Sequence, residues 1–134
     1  MRDAAELCRG LLLKAKSDRI AMEASLAAGA LDAACFHAQQ MTEKSLKAFL
    51  IHLGVSFPYT HNLTKLVEIC AGTDITFRSL LPTVAPLTPY AVELRYDDSF
   101  WPSQQVAEDA STSALTVLRF LVDRLPADIR KSAE

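Results

Sequence analysis

The apolar residues Val106, Ala107, Ala110, Ala114, Val117, Leu118, Leu121 and Leu125 recur at helical spacing, so a single surface buries them only if this stretch is a helix. Glu108, Asp109, Thr112, Thr116, Arg119 and Asp123 fall on the opposite side. The predicted helix starts near Ser103 and ends before Pro126, whose ring bars continuation. A second stripe runs through Ala4, Cys8, Leu11, Ala15, Asp18 and Met22 in 4-3-4-3-4 steps and predicts a helix from about Asp3 to Ala28, stopped at Gly29. Asp18 is the one acid in that stripe. The pattern favours a carboxylate leaning to the edge, toward solvent or Arg19; the sharper alternative is an inward acid awaiting a cation.

A third helix, capped by Asp32, is expected from about Ala33 to Leu53 and closed by Gly54. One side of it holds Ala34, Ala38, Met41, Ser45, Leu46, Ala48 and Phe49; the other mixes Gln40, Glu43, Lys44 and Lys47 with Phe36, Leu50 and Ile51. A helix apolar on one face and mixed on the other belongs at the centre of a bundle. Gln39 and Gln40 are stable inside one only when their amides are paired. Glu43 and Lys47 stand one turn apart, and spacing alone favours a solvated pair worth a few tenths of a kcal/mol.

No stretch alternates convincingly at period two. The fold class is therefore all-α: an antiparallel up-and-down bundle of four to five helices, three of them long. Val55 to His61 is a loop around Pro58. Thr60 or Asn62 caps a short helix through Leu63, Leu66, Val67 and Cys70 that ends near Gly72, and Asp74 or Thr76 opens the next segment. Pro82, Pro86 and Pro89 break that segment into short pieces, with a cleaner turn or two from about Pro89 to Tyr96. Trp101, before Pro102, is expected to anchor the last loop. At 134 residues the chain suits a single domain spanning 1–134, with its core at about 3–126 and a frayed tail over 127–134.

A formal net charge of −2 and a pI near 5.9 argue against gripping nucleic acid by bulk charge. Cys8, Cys35 and Cys70 show no ligand or redox spacing and read as reduced, buried thiols. With no secretory signal and no long apolar run, a cytoplasmic protein without a membrane span is expected. His37, His52 and His61 lack metal-helix spacing, and no glycine-rich phosphate loop occurs, so neither a metal nor a cofactor is expected. Arg95 follows Val92 and Leu94 and precedes Asp97 and Asp98. It reads either as a cation at a helix C-terminus or as a planar fork presented to phosphate.

Taken together, FHAQQMTEKSLKAFL, then PYTHNLTKL, then ELRYDD with WPS and a long closing helix resemble the HEPN domain. The likeness runs from about Ala4 to Leu125, and its most specific part is HAQQ-x-x-EK-x-LKA followed by THNL. It implies a homodimeric helical bundle whose polar α-helical face looks into a cleft, with His37, Gln40, Glu43 and Lys44 on the family's motif positions. Many such proteins are metal-independent ribonucleases, several of them toxins paired with a minimal nucleotidyltransferase. Their nuclease motif is an arginine followed a few residues later by a histidine. Arg95 matches the arginine, but the histidine positions hold Phe100, Trp101 and Pro102, and no histidine follows Arg95.

The resemblance with this departure implies a non-catalytic protein that binds a nucleotide or RNA phosphate and partners a minimal nucleotidyltransferase in a toxin-antitoxin-like pair. Arg95, His37, Lys44 and Lys47 would hold the ligand, with Gln40 and Glu43 fixing the arginine or a base edge. One alternative is a ribonuclease toxin using Arg95 with a displaced His61; another is a ligand-free dimerisation module.

Overall fold

Asp3 starts the first helix: its Oδ1 accepts from the Glu6 amide at 2.8 Å while the Glu6 carboxylate accepts from the Asp3 amide at 3.3 Å, two otherwise orphaned donors satisfied together. The computed structural model describes residues 2–134, and among them it contains helices and turns but no strand. Helix α1 spans Ala4–Ala28 and ends at Gly29, whose φ of 80° lies where a side chain would be strained. Helix α2, Leu31–Leu53, begins two residues earlier than expected. Asp32 therefore sits in its first turn, where a carboxylate favours the positive end of the helix dipole, instead of capping it. Gly54, at φ 70°, closes α2.

Helix α3, Leu63–Ala71, is capped by Asn62, which accepts from the Lys65 amide at 3.2 Å. After it the prolines leave only short pieces: a 3₁₀ stretch Ile75–Leu80 capped by Asp74, the single turn α4 at Leu81–Val84, and a 3₁₀ turn Thr88–Tyr90. Turns carry the chain to Ser103, whose hydroxyl caps α5, Gln104–Val122.

Helix α2 is central, packed against α1, α3 and α5. Leu12 and Met22 of α1, Met41, Leu46 and Leu50 of α2, Leu66 and Val67 of α3, and Val117 and Leu121 of α5 are all fully buried. Phe77 stands between Phe49 and Phe120, with ring centroids 4.9 and 5.0 Å away, which fastens the proline-broken segment to α2 and α5. Burial raises the Cys35 thiol to about 11 and the Cys70 thiol to about 12, and the three cysteines are free.

Several expectations need correction. Leu12, not Leu11, fills the α1 seam, and Val106 is exposed because α5 meets its neighbours from Ala107 onward. Trp101 is 74% exposed and anchors nothing; Phe100 does so, with its ring 5.6 Å from that of Tyr90. Residues 127–134, expected to fray, form α6 at Ala127–Arg130 and a final 3₁₀ turn, because Ile129 and Ala133, one turn apart, are buried against the core. Among the described residues no helix is long and apolar enough to cross a membrane, and no cluster could hold a metal ion.

Candidate functional site

Two buried carboxylates organise the polar face of α2. Asp18 reaches it from α1 and is 7% exposed. Its Oδ2 accepts from Lys44 Nζ at 2.5 Å, and its Oδ1 lies 2.9 Å from His37 Nδ1. An ionised carboxylate only accepts, so Nδ1 carries the proton and Nε2 is the ring nitrogen left for other partners. The edge-lying, solvated Asp18 favoured by the stripe is thus overturned: the acid points inward and has found its cation one helix away.

Glu43, 6% exposed, is the second centre. Its Oε1 receives Gln39 Nε2 at 3.1 Å and His61 Nδ1 at 2.7 Å, and its Oε2 receives Lys47 Nζ at 3.1 Å. Burial alone would raise this carboxyl, but the hydrogen bonds from Gln39, His61 and Lys47, with the charge of Lys47, outweigh it and hold the group below its ordinary value. The solvated Glu43–Lys47 pair expected from spacing is therefore buried. The order i, i+4 is visible in the sequence; the loop that covers the pair is not.

The glutamines complete the network. Gln39 is fully buried and also donates to the His61 carbonyl at 3.2 Å, tying the 55–61 loop to α2, and Gln40 donates to Gln39 Oε1 at 2.8 Å. The amides are paired, as burial demands.

Arg95 stands apart from these pairs. Its guanidinium lies 4.3 Å from the Phe36 ring centroid and 5.5 Å from that of Tyr96, and among the described residues it joins no ion pair. Asp97 instead accepts from the Ser99 amide and hydroxyl. Arg95 and His37 line the same cavity, of about 360 Å³, walled by Phe36, Tyr90, Leu94 and Phe100 with Asp32 at the start of α2.

The structure thus divides the expected ligand set. Arg95 and His37 meet at one cavity; Lys44 acts on it through Asp18, while Gln40, Glu43 and Lys47 do not line it. His61, the alternative partner for Arg95, is engaged by Glu43 and does not line it either. Sequence reasoning missed Phe36, Tyr90 and Phe100 as walls of this cavity. The aromatic pair FW after the arginine was the available signal, but of its two rings Phe100, not Trp101, turns inward.

A family model described as HEPN domain matches residues 8–125. Among solved structures, the crystal structure of an archaeal HEPN homologue superposes with a TM-score of 0.70 at 18% sequence identity, covering 92% of this chain and 98% of that one. At that identity the likeness speaks for the fold alone. No curated protein matches the sequence.

Proposed function

For a chain that belongs to the HEPN domain family, we propose the function of binding a nucleotide or RNA phosphate in the cavity between α2 and the 88–100 segment. The observation that carries this reading is Arg95: exposed, with its guanidinium 4.3 Å from the Phe36 ring centroid, in no ion pair among the described residues, and on the same cavity as His37. A guanidinium so placed keeps its planar fork for a bidentate anion. His37 supplies Nε2 to the bound group, held in place by Asp18 and Lys44. Gln40, Glu43 and Lys47 shape the face beside the cavity. The same proposal includes a cytoplasmic homodimer with a minimal nucleotidyltransferase as partner, as the family resemblance implies.

Isothermal titration with a nucleoside monophosphate tests the site: Arg95→Ala is expected to weaken binding at least about tenfold, the loss of one charge-assisted contact. Unchanged affinity overturns the assignment. Native mass spectrometry of the protein from its own host tests the partner, which appears as a second polypeptide on twice the chain mass.

One observation favours a second reading, a metal-independent ribonuclease. His37 lines the same cavity as Arg95, and its Nδ1 is bound to the buried Asp18 carboxylate, which orients the ring for proton transfer. RNA cleavage in excess chelator, abolished in both His37→Ala and Arg95→Ala, would establish it.

A further inference from the structure

Phe36, Gln40, Glu43 and Lys47 fall on one line along α2, because the eleven steps from Phe36 to Lys47 make just over three full turns. The two ends of that line lie about 16 Å apart. Both ends repeat one arrangement. At the first, the Arg95 guanidinium lies 4.3 Å from the Phe36 ring centroid and 5.5 Å from that of Tyr96. At the second, the Lys47 ammonium sits 5.3 Å from the ring centroid of Tyr59, and that ring is 6.1 Å from the ring of His61.

Tyr59 is 93% exposed and Tyr96 77% exposed, so neither ring adds burial to the fold. Each is instead a free aromatic surface beside a cation. Along the line Asp18 neutralises Lys44 and Glu43 neutralises Lys47, leaving little net charge.

We propose that Tyr59, Lys47 and His61 form a second subsite, which stacks a base of a single-stranded oligonucleotide whose other end occupies the Arg95 cavity. This rests on the reading of that cavity given above. Single strands are held by aromatic platforms spaced along a polar groove, with every base offering a face to stack. Bases stacked as in a duplex rise about 3.4 Å per step, so about five nucleotides cover the line and fewer suffice for an unstacked strand. A mononucleotide reaches only one end.

The test is binding of a nucleoside monophosphate and of a hexanucleotide to the full chain, measured by titration calorimetry or by competition against a labelled hexamer. The hexamer is expected to bind at least about tenfold tighter, the gain from one stacked base. Tyr59→Ala should remove that gain and leave mononucleotide affinity unchanged, whereas Tyr59→Phe should keep it. A hexamer no tighter than the monomer, or a gain untouched in Tyr59→Ala, overturns the second subsite while the Arg95 site stands. If neither ligand binds the wild-type protein, the reading of the Arg95 cavity falls as well. Hexamers of ribose and deoxyribose are run side by side. Equal affinity assigns recognition to stacking, and a preference for ribose adds a 2′-hydroxyl contact; either supports the subsite.

Discussion

Lys47 and Arg95 stand at opposite ends of the same polar line of α2, yet their surroundings differ. The Lys47 side chain is 12% exposed and its ammonium donates to the buried Glu43 carboxylate; Arg95 is exposed and rests on rings alone. A cation matched to a buried acid is committed to the fold, because removing either partner leaves the other desolvated and unpaired. A cation without such an acid leaves the fold indifferent and keeps its donors for a ligand. The face of α2 therefore separates a structural end, where the cation serves the fold and only the exposed Tyr59 ring remains to meet a base, from a receptive end whose cation is free, and Asp18, bound to Lys44 and His37, serves both fold and site.

The largest expected effect tests the structural end. Glu43→Ala deprives Gln39, Lys47 and His61 of their common acceptor, and the loss of a buried, multiply bonded carboxylate is expected to lower stability by about 3–5 kcal/mol in urea unfolding. A loss below about 1 kcal/mol would mean that water reaches these partners readily, and the distinction between the ends would blur.

At the receptive end the signs reverse. Arg95→Ala is expected to change stability by no more than about 0.5 kcal/mol, as for a surface substitution. Ligand affinity should fall by about 1.5–3 kcal/mol, the worth of a charged hydrogen bond. A variant that unfolds easily while binding normally would invert the comparison. Asp18→Asn sharpens it further: stability should fall because Lys44 loses its acid, and affinity should fall because His37 is no longer oriented. Measuring both on one sample separates this double role from either end.

The same division explains what the sequence discloses. The stripes of α1 and α5 and the glycines at 29 and 54 are local signals, and they locate the long helices closely. Asp18 cannot be judged locally, since its partners lie nineteen and twenty-six residues away on another helix. Glu43 misleads for a related reason: the pair with Lys47 is local, but the cover over it comes from His61. The tail reads as polar and frayed because its two anchors, Ile129 and Ala133, are too few to register as a stripe. At the cavity, Arg95 and His37 both stand out as candidates, while their meeting depends on how turns 88–100 fold back on α2, which three prolines place beyond any periodic pattern.

Acid titration gives the smallest effect and isolates one group. Glu43 is held below its ordinary carboxyl value of 4.5 despite its burial. Folding that depresses a carboxyl pKa contributes stability that is complete above the unfolded value and disappears as pH falls through the folded one. Wild type should therefore lose stability, relative to Glu43→Gln, as pH drops below about 4.5, and the two should run parallel above that. Gln39, Lys47 and His61 face the carboxylate, and protonation of Glu43 itself weakens the three bonds it accepts. Arg95→Ala should follow the wild-type curve through the same window, because Arg95 joins no ion pair among the described residues and leaves no acid unpaired. Parallel curves for wild type and Glu43→Gln down to pH 3 would show that the bonds around Glu43 do not outweigh its burial, and would leave the two ends of α2 distinguished by exposure alone.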